Sequence, residues 1–332
     1  MAAPPRHTSK VTHLHIFAIL ALSECASASP CTRLQPSNPL LSRRNAVISD
    51  TGGIVQVFDP TTQSPVPQFP ASDGGGSGFS PPAIAWIILA FVIGVPLAVA
   101  GIRGWRLTTA SAIGLSIAAC SWVAFVNTVS GSGLPDLVLT IIVLGFFAGG
   151  FALGLFEVGR IAGIVLLGIV GGASLATRVI IMRAGLLTSS FPGNWAMVGA
   201  LGLAGGILPI YKQRAGILFG SASTGTFLAV LGADLCINQQ AGMSRGLRFL
   251  FDRNSSHLAD LFAKGYHPPI STVVIIACSI PLIPALSYAQ HKVFRHPFSR
   301  KPVEPDEIRG SIYSTDIKPS QILVKAPGRF SM

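Results

Sequence analysis

Charge is what this sequence has least of. Only 11% of its 332 residues are Asp, Glu, Lys or Arg, against about a quarter in a soluble domain. So few charges cannot clothe the surface of a water-soluble enzyme, nor keep a disordered chain solvated. Acids are scarcest, 13 against 24 Lys plus Arg. Histidine is missing from every long apolar run, since the seven are His7, His13, His15, His257, His267, His291 and His296. Ion-coupled transporters usually carry carboxylates or histidines at mid-membrane depth, so this absence argues against one.

Catalytic signatures are lacking as well. No HExxH, no GxxxxGK followed by Ser or Thr and no CxxC occurs, which removes the usual marks of metalloproteolysis and nucleotide hydrolysis. The chain therefore reads as non-enzymatic, with no catalytic, metal-binding or cofactor-binding residue to name. The net charge of +11 does not indicate a nucleic-acid partner. Nucleic-acid binders gather their cations on one face or in blocks, whereas here they stand singly or in pairs at the ends of apolar runs.

What is there is apolar sequence, 50% of the residues, with a mean hydropathy of +0.59. Residues 1–28 have the layout of a secretory signal peptide: Arg6 and Lys10, a short apolar stretch at 16–22, then Ala26, Ser27 and Ala28, with cleavage expected after Ala28. Residues 29–82 turn to Pro, Ser, Thr and Gly and end in the run 73–78, Asp-Gly-Gly-Gly-Ser-Gly. They read as a mostly disordered lumenal or extracellular stalk, with one hairpin conceivable over 46–58. Seven apolar segments follow, at 83–102, 107–128, 137–155, 161–182, 195–211, 215–237 and 270–289, and 290–332 forms a cytosolic tail. About 20 residues of helix cross the hydrocarbon layer, so the fold class is all-α, a polytopic seven-helix membrane bundle. The bilayer is its first partner, and the membrane expected is the plasma membrane or one of the secretory pathway.

Orientation follows from the cations. With the amino terminus out and the carboxyl terminus in, Arg103, Arg106, Arg160, Lys212, Arg214, Lys292, Arg295, Arg300 and Lys301 lie inside, nine in all. Arg178, Arg183, Arg245, Arg248, Arg253 and Lys264 are the six on the outer side, a bias in the direction of the positive-inside rule. Asn254, the one Asn-x-Ser/Thr sequon, falls in the outer connection 238–269 and is the glycosylation candidate. Leu258, Leu261 and Phe262 in that connection have helical spacing, for an amphipathic surface helix or a cap over the bundle mouth. Cys31 and Cys236 would both be outside, where pairing is open to them.

Inside the spans Arg178 and Asp234 are the ionisable exceptions, each near a helix end from which snorkelling is expected. Small residues recur at four-residue spacing: Gly145 and Gly149, Gly150 and Gly154, Gly159 and Gly163, Gly168 and Gly172, Gly202 and Gly206, Gly216 and Gly220. Close helix packing is their default use, a dimerisation face the alternative. Ser221, Ser223, Thr224 and Thr226 at the start of the sixth span either bond within their helix or line a polar crevice. The count of seven is shared with G-protein-coupled receptors, but Glu157 and Arg160 are not adjacent and Pro284 to Tyr288 lacks the preceding Asn, so the likeness ends at the count.

Two stretches carry a closer likeness. Gly101, Ile102, Arg103, Gly104, Trp105 and Arg106, and the unit Gly145, Phe146, Phe147, Ala148, Gly149, Gly150 leading through Gly154, Glu157, Val158, Gly159 and Arg160 to Gly168, Gly171 and Gly172, resemble the transmembrane 7 superfamily member 3 and transmembrane protein 198-like family, nearest its fungal members. The resemblance covers 82–289. It implies a multi-pass membrane protein without established enzymatic activity, some animal members being signalling scaffolds. The expected function is therefore a non-enzymatic scaffold or signalling organiser with protein partners at its helix faces and tail, the alternative a passive channel or transporter for a small solute.

Overall fold

A computed structural model of the chain describes residues 47–51, 54–59, 62–69, 73–129, 134–188 and 190–294. The signal peptide, Cys31, nearly half of the stalk and nearly all of the tail lie outside them. Among the described residues nine α-helices follow a short hairpin. β1 (Val47–Thr51) and β2 (Ile54–Phe58) pair antiparallel, Val47 opposite Phe58 and Thr51 opposite Ile54.

The spanning helices are α1 (Pro81–Ala100), α2 (Trp105–Thr128), α3 (Asp136–Leu155), α4 (Arg160–Ile181), α5 (Phe191–Tyr211), α6 (Gln213–Asn238) and α9 (Ile270–Val293). All seven have the length and hydropathy to cross a bilayer. Two short helices, α7 (Met243–Phe251) and α8 (Leu258–Lys264), fill the connection between α6 and α9. The largest boundary differences from the sequence are at α9, which runs to Val293 and not to 289, and at α5, which begins at Phe191 and not at 195. Pro192 stands in its first turn, where a residue without N–H costs nothing and its fixed φ suits the helix.

α4 and α6 form the interior, with 61% of each span buried against 22% of α9. α6 packs on α1, α4, α5 and α9, while α2 packs on α3 and α4. α1 and α2, though consecutive, scarcely touch. Glycine sets the closest approaches. A Cβ on Gly168 would strike the Gly205 carbonyl, and one on Gly172 the Leu201 carbonyl, so α4 and α5 meet backbone to backbone. Such proximity replaces the hydrophobic drive that lipid does not supply.

One end of the bundle, here the cationic end, carries Arg103, Arg106, Arg160, Lys212, Arg214 and Lys292. The other, the loop end, is closed by α7 and α8. Met243 and Leu250 of α7 are fully buried against Ile181 and Tyr266, and the Tyr266 hydroxyl donates to the Ile181 carbonyl at 2.7 Å. The connection is thus a cap seated on the bundle. The run 73–78 departs from its reading as flexible linker. The indole N–H of Trp122 donates to the Asp73 carbonyl at 2.8 Å. Those of Trp86 and the Thr140 hydroxyl donate to the Gly74 carbonyl at 3.1 and 2.6 Å, and the Gln240 amide to that of Gly75 at 2.9 Å.

Candidate functional site

Arg178 and Asp234 are both turned inward. On a helix the Cα–Cβ bond tilts toward the amino terminus. Arg178 stands one turn from the carboxyl end of α4, so its side chain descends away from the nearby surface. It is 0% exposed. The guanidinium donates to the Ser223 carbonyl at 2.8 Å, the Thr226 hydroxyl at 2.7 Å and the Ser223 hydroxyl at 3.3 Å, and it lies 5.3 Å from the centre of the Phe227 ring. Its Nε has no hydrogen-bond partner. Snorkelling, expected of this residue, does not occur.

Asp234 on α6 is equally enclosed. Its carboxylate accepts from Thr272 Oγ1 at 2.6 Å, Asn238 Nδ2 at 2.8 Å and the Met243 backbone N–H. One carboxylate thereby ties α6 to α9 and to the start of α7, which is how a charge is held in a dry site.

The hydroxyls of α6 do not open a polar crevice. Ser221, Ser223, Thr224 and Thr226 are all buried. Ser223 and Thr226 hold Arg178, Ser223 also donates to the Gly171 carbonyl at 2.7 Å, and Thr226 to Ala222 at 2.7 Å. Ser221 lies 3.5 Å from the Gln290 amide oxygen. Of the run, Ser223 and Thr226 are taken up by an arginine on the neighbouring helix, while Thr224 Oγ1 is buried without a hydrogen-bond partner.

Asn254 is likewise spent inside the fold. Its side-chain N–H groups donate to the carbonyls of Val126 at 3.2 Å and Val129 at 2.6 Å, with 6% of the residue exposed. In this conformation the nitrogen that a glycan would occupy is directed into the α2 terminus. Beside it runs a polar cluster that sequence reasoning missed. His257 Nδ1 is 3.0 Å from Asp252, and Arg248 reaches Asp252 at 3.7 Å and Asp260 at 3.6 Å. Among the described residues no group of three or more His, Cys, Asp or Glu is placed to hold a metal ion. Cys236 is exposed.

Below the docked run 73–78 lies a cavity of about 200 Å³. Its walls are Trp86 and Leu89 of α1, Leu115 and Trp122 of α2, and Leu231 and Leu235 of α6, with Leu247 of α7 above. It exists because α1 and α2 do not close on each other. Asp73 and Ser244 supply its polar side chains at the loop end, apart from the two indoles already bonded to the run above. Burial pushes the Asp73 carboxyl above its ordinary 3.8, opposed by the nearby Arg248 guanidinium and the Gly75 N–H. A carboxyl raised on folding contributes stability that is complete below 3.8 and is lost as pH rises through the folded value. Asp73→Asn keeps the oxygen that accepts from Gly75 N–H and has no charge to bury. Its melting temperature is expected to rise above the wild-type value as pH increases from 4 to 7, followed by tryptophan fluorescence.

The family model for the TM7S3/TM198-like domain matches residues 87–291. The chain belongs to this family. The match takes in most of α1 and everything on to the last turn of α9, so it covers nearly all of the bundle, Arg178 and Asp234, and the cap. The run 73–78 lies before it. No curated protein and no solved structure matches the TM7S3/TM198-like chain.

In this bundle the glycine pairs separate by use. Gly150 meets Gly114 and Gly154 meets Ala110 across the α2–α3 contact, and Gly168 and Gly172 meet α5. Gly145 and Gly149 meet nothing: a Cβ on either would have no atom within 4 Å. They lie in a groove of about 390 Å³ on the outer side of α2 and α3, lined by Ile117, Ile142, Phe146 and Leu153.

Proposed function

We propose that this TM7S3/TM198-like protein is a non-enzymatic membrane organiser, and that it engages a transmembrane helix of a partner protein at the Gly145–Gly149 face of α3. The observation that carries the reading is that Gly145 and Gly149 are open while the other six of the eight glycines on α3 and α4 are filled by neighbouring helices. Small residues at this spacing admit a second backbone closely, and the groove gives a helix somewhere to sit.

The proposed orientation keeps the amino-terminal side out and the carboxyl-terminal side in. It gains support from the state of the cations. At the cationic end Arg103, Arg106, Lys212 and Lys292 are exposed. At the loop end Arg178 is enclosed, Arg245 donates to the Gly265 carbonyl at 2.9 Å, Arg248 is answered by Asp252 and Asp260, and Arg253 covers the Phe191 ring at 3.0 Å. Arg183 is exposed at the loop end, so among the described side chains four exposed cations at the cationic end stand against one at the loop end.

Single-cysteine variants in native membranes test both parts. Cross-linking from positions 145 and 149 should give one discrete adduct, and position 99, on the lipid-facing side of α1, should give none. Equal adducts at all three positions, or none, would remove the helix-docking reading. In sealed right-side-out vesicles an impermeant maleimide should reach Ser255→Cys directly and Lys212→Cys only after lysis. The reverse order would invert the orientation.

A further inference from the structure

The apolar cavity beneath the run 73–78 has no part in the helix-docking reading, and it is not an ordinary packing fault. A void of about 150 Å³ between apolar side chains stays dry and accepts a benzene molecule. At about 200 Å³ this one has space for roughly eight carbons on the same scale. Its lining residues run from Ala83 to Ala90 on α1 and from Leu228 to Leu235 on α6, seven steps in each case, or about 10 Å at 1.5 Å per residue. The space is therefore elongated along the helices, parallel to the chains of a surrounding bilayer. Ala119 on its rim is exposed, on the side where α1 and α2 fail to meet.

We propose that the cavity binds the hydrocarbon chain of a neutral, hydroxyl-bearing single-chain lipid, with the hydroxyl at Asp73 and Ser244. Walls of Trp86, Leu89, Leu115, Trp122, Leu231 and Leu235 give a chain dispersion contacts on all sides. The polar end selects the headgroup. An anionic headgroup would face the Asp73 carboxyl. A cationic one would compete with Arg248, whose charge already reaches Asp73 and is itself answered by Asp252 and Asp260. A hydroxyl donates and accepts without adding charge, and the burial that favours the protonated form of Asp73 suits such a partner. The indole N–H groups are occupied by the carbonyls of the run above, so the rings present only their apolar bodies inward.

The test uses the full chain in phosphatidylcholine nanodiscs with hexadecanol bearing a diazirine within about eight carbons of its hydroxyl, the length of chain that the cavity holds. Adducts should fall on 81–90 and 115–122 and drop at least tenfold with excess unlabelled hexadecanol. Leu231→Trp fills the space, and Ala119→Trp blocks the rim at an exposed position where folding is little disturbed. Either should reduce labelling tenfold or more, and Ala119→Trp decides the matter should Leu231→Trp fail to fold. Adducts spread evenly over α3 and α9, or labelling unchanged in folded Ala119→Trp, would overturn the site. Competition by hexadecane or hexadecanoate as strong as by hexadecanol would overturn the headgroup assignment.

Discussion

Arg178→Ala is expected to destabilise the bundle by about 2–5 kcal/mol, the range for truncating a large buried side chain, measured as the fall in unfolding free energy in detergent or bicelles. Two effects compete at this residue, and a second substitution separates them. The guanidinium is fully enclosed and is held by one carbonyl, two hydroxyls and the face of Phe227. Taking such a charge out of water costs several kcal/mol even after relaxation, so its hydrogen bonds mostly offset a penalty of their own making. The stem is different, because its packing carries no such penalty. Arg178→Met keeps most of the volume and strands little, since the Ser223 and Thr226 hydroxyls already donate to Gly171 and Ala222 carbonyls. It should remain within about 1.5 kcal/mol of wild type, as volume-conserving replacements do. Should Arg178→Met cost as much as Arg178→Ala, the polar contacts and not the packing hold α4 to α6. An ionisable group kept at such expense inside a membrane protein is a functional candidate by default. The informative result is then a folded Arg178→Met protein that no longer forms the cross-linked adduct at positions 145 and 149.

The spans were legible because length and hydropathy are all that a bilayer demands of them. The direction of Arg178 was legible too, in principle. It needed one more step: a side chain near the carboxyl end of a helix points back along it, so the nearest surface is not the one it can reach. The docking of 73–78 was hidden for a different reason. Glycine carries no hydrophobic pattern, and the contacts that fix this run are made by its carbonyls, which every residue has. The available signal was on other helices, in Trp86 and Trp122, whose N–H groups near an apolar interior must find acceptors. The enclosed setting of Asn254 was hidden because a sequon describes three residues, whereas the partners of its amide, Val126 and Val129, lie more than a hundred positions away.

Gly172→Ala and Gly149→Ala should have opposite signs, although one sequence pattern contains both glycines. At Gly172 the added methyl would land on the Leu201 carbonyl, and a helix backbone on each side leaves no rotamer free to yield. α5 must move outward, which also loosens the neighbouring contact between Gly168 and Gly205. Overpacking a tight core ordinarily costs about 1–3 kcal/mol and occasionally more. With backbone as the obstacle, Gly172→Ala is placed at about 3 kcal/mol or above. At Gly149 the methyl meets no atom within 4 Å, and alanine is the better helix former by roughly 0.8–1 kcal/mol, so the isolated protein should be unchanged or slightly stabilised. Thermal unfolding of the two purified variants reads the difference directly. Equal losses would mean that α3 is as closely covered as α4. If instead Gly149→Ala is stable alone but loses its partner in the membrane, the cost of the methyl has moved from folding to association, which is where an unoccupied small-residue face should show it.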